Sequence, residues 1–119
     1  VRAVLESLAL KYRSVLEQLE SLTGTRFDTI RVVGGGAQNA LLNQFTADAT
    51  GRRVLAGPSE ATALGNLAMQ MVGTGLVGSI EAARELIGQS FPPRLFEPAP
   101  TQNWDGAYTR FRSCCPHCL

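Results

Sequence analysis

The stretch at residues 31–44, RVVGGGAQNALLNQ, constrains the fold most, because three consecutive glycines follow a β-branched run and precede a helical pattern. Glycine permits positive φ and close approach of a second body at once, so the triplet marks a tight strand-to-helix turn. Upstream, FDTIRVV supplies a strand, with Ile30, Val32 and Val33 near its end. Downstream, residues 38–50 read as a helix with Leu41, Leu42, Phe45 and Ala49 on its buried side, and Gly51 ends it. RRVLA is a second short strand, and GPSE a turn in which Ser59 is placed to cap a third helix over residues 60–72. Glu60 in its first turn favours the helix dipole.

Before the first strand, Val1, Val4, Leu5, Leu8, Tyr12, Val15, Leu16, Leu19 and Leu22 recur at spacings of three and four. They predict one apolar stripe of a long helix packed on a sheet or bundle, with Gly24 placed for a left-handed stop. A short helix is expected after Ser79, including Ala82, Ala83, Leu86 and Ile87. Residues 88–100 carry Pro92, Pro93, Pro98 and Pro100 and should run extended over the surface. A last helix is expected over residues 103–112, with Trp104, Tyr108 and Phe111 on one side.

The expected order is therefore helix, strand, helix, strand, helix. Strands joined by helices pair in parallel through right-handed crossovers. Two strands make no stable sheet, since parallel sheets are built from more strands and covered on both faces. The chain reads as the second half of an α/β domain with an incomplete sheet. Val at position 1, in place of Met, agrees with a fragment. Alone, such a piece exposes a strand edge and an apolar helix face, and is expected to be poorly soluble or molten.

Length and charge exclude several functions. The 119 residues suffice for one modest core. Eleven basic against ten acidic residues give a net charge of +1, with no field to attract nucleic acid or an anionic membrane surface. No apolar run approaches the ~20 residues of a membrane span, and charges interrupt the N-terminus too often for a signal peptide. The expected location is the cytoplasm.

The glycines admit three nucleotide readings. A dinucleotide loop wants Gly at its first, third and sixth positions and a carboxylate after the second strand. Gly34 and Gly36 fit, but the sixth position is Asn39, and the strand ends at Leu55 and Ala56 without a carboxylate. A phosphate loop wants Gly-Lys-Ser/Thr, which is absent. The third reading lays the bare backbone of Gly35 and Gly36 flat against a base or ribose, with a helix N-terminus behind it. A purely structural glycine turn stays open beside these.

The segments VVGGGAQNALLNQFTADATGRRVLAGPSEATALGNLAMQ and ESLALKYRSVLEQLE resemble the FGGY carbohydrate kinases, over about residues 1–100. The resemblance implies an actin-like fold of two ribonuclease-H-like domains around a cleft. This chain would supply the second half of the C-terminal, nucleotide-side domain, with residues 101–119 forming a helix and a cysteine-rich tail. It implies an ATP-dependent sugar kinase that uses Mg²⁺, binds ATP or ADP, and takes a ketose together with a missing N-terminal domain. Gly35 and Gly36 are then the adenosine contacts, Gly34 supports the turn, and Asn39 is best placed of the nearby amides to reach the nucleotide. Gln38 reaches it only by projecting back over the turn, and Asn43 can instead hold the helix to its neighbours. Ala61, Gly65 and Ala68 should let the third helix pack closely behind the turn. The only aspartates, Asp28, Asp48 and Asp105, do not stand in the glycine-aspartate-glutamine setting of the family's catalytic base, so no catalytic residue is expected here and the fragment should be inactive alone. The sugar is chosen mostly by the absent domain, which leaves other kinases of the family, and a dinucleotide-dependent oxidoreductase, as alternatives.

All three cysteines lie in CCPHCL, with His117 between Cys115 and Cys118. A dithiol oxidase would need the first thiolate at a helix start beside a strand. A zinc site would need a second ligand pair elsewhere. A variable tail, with no metal site, is the better reading.

Overall fold

The computed structural model describes residues 1–99 and 102–116. The first helix, α1, covers Arg2–Thr23, and Gly24 stops it at φ 64°, its N–H bonded to the Glu20 carbonyl. Strand β1 is Thr29–Val32, and a 3₁₀ turn at Gly35–Gln38 leads into α2, Ala40–Thr50. Gly51 closes α2 in the same left-handed way, at φ 65°. Both positions need glycine, because the left-handed region is strained for residues with a Cβ. Strand β2 is Arg53–Ala56, α3 is Ala61–Gly73 and α4 is Ile80–Ser90, capped by the Ser79 hydroxyl, which accepts from the Ala82 N–H. A third strand, β3, covers Arg94–Phe96, and α5 covers Trp104–Cys114.

The sheet is mixed, in the order β1-β2-β3. β1 and β2 run parallel, Thr29 opposite Arg53 and Val32 opposite Ala56, with α2 as the crossover. β3 is antiparallel to β2, Phe96 opposite Val54 and Arg94 opposite Ala56. The extended surface run expected over residues 88–100 starts later, because α4 continues to Ser90; residues 91–99 are mostly exposed, and three of them pair with the outer edge of β2, which was not expected. So short a strand carries no alternating pattern; the unpaired edge of β2 recruits it. Pro100 lies outside the described residues.

The core lies between α1, α2 and α5. Ala9 and Leu10 meet Phe45, Ala49, Trp104 and Tyr108, with Leu5 and Phe111 packed against them. The expected Trp104, Tyr108 and Phe111 side of α5 is thus its packed side. Phe45 and Trp104 rings meet at 5.4 Å and 58°, a tilted contact worth ~0.5–1.5 kcal/mol beyond area burial. Two polar contacts fasten α5 to α1: Arg13 donates to Asp105 at 2.8 Å, and the Tyr108 hydroxyl donates to Glu17 at 2.6 Å.

The predicted stripe of α1 is not the face this chain buries. Ala9, Leu10 and Ser14 are buried, while Val1, Val4, Leu8, Tyr12, Val15, Leu19 and Leu22 are exposed. On α2, Phe45 and Ala49 are buried as expected, but so are Asn43, Thr46 and Ala47, while Leu41 is exposed. Small and polar side chains are thus buried beside Leu10 and Phe45, and an apolar pattern cannot reveal their part of the face. The shape agrees with an open layer. The radius of gyration is 16.9 Å, against roughly 13.5 Å for a compact chain of this length.

Candidate functional site

The glycine turn leaves the C-terminal end of β1 and is held by main-chain bonds from both sides. Gly34, at φ 81° and ψ −163°, donates its N–H to the Pro58 carbonyl at 3.1 Å, and Gly57 donates to Val32 at 2.8 Å. The loop after β2 therefore lies directly against the turn. Inside the turn, Ala37 N–H bonds to Gly34 and Asn39 N–H to Gly36. Asn39 then starts α2, its side-chain oxygen accepting from the Leu42 N–H at 3.0 Å. Asn43 is 1% exposed and donates through Nδ2 to the Ala37 carbonyl at 3.0 Å.

The three glycines differ in what they require. Gly34 needs glycine for its positive φ. Gly35 and Gly36 do not have positive φ, and a Cβ at either would meet no atom within 4 Å among the described residues beyond its chain neighbours. Their bareness serves neither local conformation nor packing among the described residues.

Beside the turn opens a cleft of about 460 Å³. Ala37 and Gln38 bound it from the turn, Ala56 to Glu60 from the loop after β2, Leu64 from α3, and Phe91, Pro92 and Arg94 from the segment leading into β3. Its walls are mostly apolar, with Gln38, Ser59, Glu60 and Arg94 as polar groups. Gly34, Gly35, Gly36 and Asn39 stand on one continuous turn with Ala37 and Gln38, but are not themselves among the residues that line the cleft. The fold adds Pro58, Leu64, Phe91 and Arg94, which the sequence reading did not single out. Their signal was the turn GPSE and the proline pair after Phe91, both read only as connections.

Two local expectations are corrected. Ser59 makes no cap: α3 begins one residue later, with Glu60 at its N-cap and no side-chain hydrogen bond there. Ala61, Gly65 and Ala68 do not pack behind the turn. They face a groove shared with Ile80, Arg84 and Ile87, and α3 packs chiefly on α4.

Several acidic residues hold parts of the fold together. Asp48 accepts from Gln44 at 2.8 Å and from the Ala99 N–H at 2.7 Å. Asp105 pairs with Arg13, and Asp28 lies 3.8 Å from Arg26. Glu20 accepts from the Phe27 N–H at 3.0 Å and meets Arg52 at 3.2 Å, tying the end of α1 to the starts of both parallel strands. The Phe27 bond first, then Arg52, hold its carboxyl below the usual range against the opposing effect of burial. No group of three or more His, Cys, Asp or Glu among the described residues could hold a metal ion. Nor is any helix among them long and apolar enough to cross a membrane. Cys114 is exposed at the end of α5, and Cys115 caps it with its N–H on Phe111. His117 and Cys118 lie outside the described residues.

Comparison with known proteins adds what geometry does not. Residues 1–74 match the family described as FGGY family of carbohydrate kinases, C-terminal domain. Over 114 residues, 96% of this chain, it is 47% identical to a protein of Bacteroides thetaiotaomicron named rhamnulokinase. It is 50% identical over 101 residues, 83% of the chain, to a rhamnulokinase of Enterococcus faecalis. A rhamnulokinase of Bacillus subtilis is 43% identical over 95 residues, 80% of the chain. The matched part is 24%, 20% and 20% of these relatives, so the chain spans a quarter to a fifth of their length.

Proposed function

This chain belongs to the FGGY family of carbohydrate kinases, and we propose that it forms the adenosine-binding wall of an ATP-dependent ketose kinase. The carrying observation is the bare backbone of Gly35 and Gly36. Neither has positive φ or, among the described residues, an atom that a Cβ would meet within 4 Å, yet each forgoes the ~0.4–1 kcal/mol that alanine contributes at a compatible site. A flat ligand lying against them accounts for that cost. The adjoining cleft, apolar with a few polar groups, suits a base and ribose. Asn39 keeps its amide nitrogen to donate while its oxygen caps α2.

The sheet supports placing the chain in the second half of a ribonuclease-H-like domain. β1 has a partner only in β2 among the described residues, and the exposed stripe of α1 offers an apolar face to further structure. The remaining strands and the sugar-binding domain would come from the rest of the protein, acting in the cytoplasm.

In the proposed reaction a sugar hydroxyl oxygen attacks the γ-phosphorus, the bond to the β,γ-bridging oxygen breaks, and ADP leaves while a carboxylate takes the hydroxyl proton. This chain's part is to bind and orient adenosine, which sets the γ-phosphoryl group in line. With Asp28, Asp48 and Asp105 engaged away from the turn, the base would come from outside this chain, and the chain alone would be inactive. Mg²⁺ would neutralise phosphate charge, held by the nucleotide and residues beyond this chain. The named relatives favour L-rhamnulose as substrate and L-rhamnulose 1-phosphate as product. The test is an ADP-release assay on the full-length protein. ATP-dependent phosphorylation of L-rhamnulose is expected. ADP release with another ketose and none with L-rhamnulose would overturn the substrate assignment.

A further inference from the structure

We infer that Asn43 is the positioning residue that holds the adenosine wall in its binding shape, an inference that rests on the adenosine reading of the glycine turn. Asn43 lies about one helical turn into α2 and is almost wholly buried, at 1% exposure. A polar side chain in such a place is costly unless its hydrogen bonds are made. A leucine of similar volume would fill the space without that requirement. The bond Asn43 makes does not serve its own helix: Nδ2 reaches six residues back to the Ala37 carbonyl at 3.0 Å. Ala37 is buried and bounds the cleft.

The turn is thus held at both ends. Pro58 accepts from Gly34 at one end, and Asn43 donates to Ala37 at the other. Between them stand Gly35 and Gly36, which have no side chains of their own to anchor. Without the donor of Asn43, the Ala37 carbonyl is buried and unpaired, and the turn gains by rotating it toward water. Nucleotide binding must then first restore the original shape. Apparent affinity falls with the fraction of protein in the competent state. The chemical step, whose groups lie elsewhere, stays unchanged.

The experiment uses the full-length kinase that contains this chain. Asn43→Leu, and Asn43→Ser as a milder second variant, should raise KM for ATP and Kd for ADP about tenfold, or ~1.4 kcal/mol. KM for the sugar and kcat should stay within about twofold. Thr46→Val is the structural control. Thr46 is equally buried and also spends its hydrogen bond on a carbonyl, but that carbonyl is Leu42 in its own helix. It should lower Tm and leave KM for ATP alone. Unchanged KM for ATP in the folded Asn43 variants, or an equal rise in Thr46→Val, overturns the inference. Gly36→Val separates the two levels. If it raises KM for ATP while the Asn43 variants do not, the adenosine reading stands and the positioning role falls. If Gly36→Val leaves ATP binding unchanged, the adenosine reading itself falls.

Discussion

Substitution at Gly35 should move stability and nucleotide binding in opposite directions. The position does not have positive φ, and an added Cβ would meet nothing within 4 Å. Gly35→Ala should therefore stabilise the ligand-free protein by ~0.4–1 kcal/mol, because alanine has less conformational freedom to lose on folding. Gly35→Val carries two further methyl groups into the space assigned to adenosine. Forcing extra methyl groups into an occupied site costs ~1–3 kcal/mol. A middle value of ~2 kcal/mol is about a 30-fold loss of affinity. Ligand stabilisation reports this directly. ADP at 100 times the wild-type Kd stabilises by about 2.7 kcal/mol, and the same ADP acting through a 30-fold weaker site by about 0.9 kcal/mol. In a thermal scan of the full-length protein, the Tm shift produced by ADP should fall to about a third in Gly35→Val. The ligand-free Tm of Gly35→Ala should not fall below wild type. A lowered ligand-free Tm with an intact ADP shift would refute the reasoning and make the glycine structural.

Three further outcomes follow from the geometry. Glu20 is held below its usual range by the Phe27 N–H and Arg52, so the stability it contributes is fully present above its unfolded value of 4.5 and fades as pH falls through the lower folded value; denaturation midpoints of wild type and Glu20→Gln should differ at pH 7 and converge in acid. Phe45→Ala removes a ring packed between α1 and Trp104 and should cost ~3–5 kcal/mol in urea unfolding, a large part of a typical domain's stability. The isolated 119-residue chain should bind a hydrophobic dye and melt without a sharp transition, since Val1 and six apolar residues of α1 lie exposed; a cooperative calorimetric transition of the monomer would count against the incomplete-domain account.

The local parts of the fold were legible in the sequence where a single residue decides them. Gly24 and Gly51 stop helices at positive φ, and Ser79 caps α4, each by a short-range rule. The parallel pair followed from two short strands joined by a helix. What escaped depends on distant partners. β3 exists because β2 offers an edge, and three residues after two prolines do not announce it. The stripe of α1 was read correctly as apolar, but periodicity cannot say which face has a partner inside this chain. Where α1 meets α2, Leu10 and Phe45 carry a hydrophobic signal, but the buried Ala9, Ser14, Asn43 and Thr46 have no hydrophobic contrast. At the candidate site, the turn and its glycines were visible from RVVGGGAQNALLNQ. Phe91 and Arg94 were not, because only the fold of the later segment brings them across from Gln38.

The central claim is that adenosine lies against the turn at Gly34 to Asn39. It is tested most directly by photolabelling the full-length kinase with an azido-adenine derivative of ADP and mapping the modified peptide. The account predicts label on the turn or on cleft residues such as Pro58, Leu64 and Phe91, suppressed by excess ADP and lost in Gly36→Val. ADP-protected label found solely outside this 119-residue segment would contradict it.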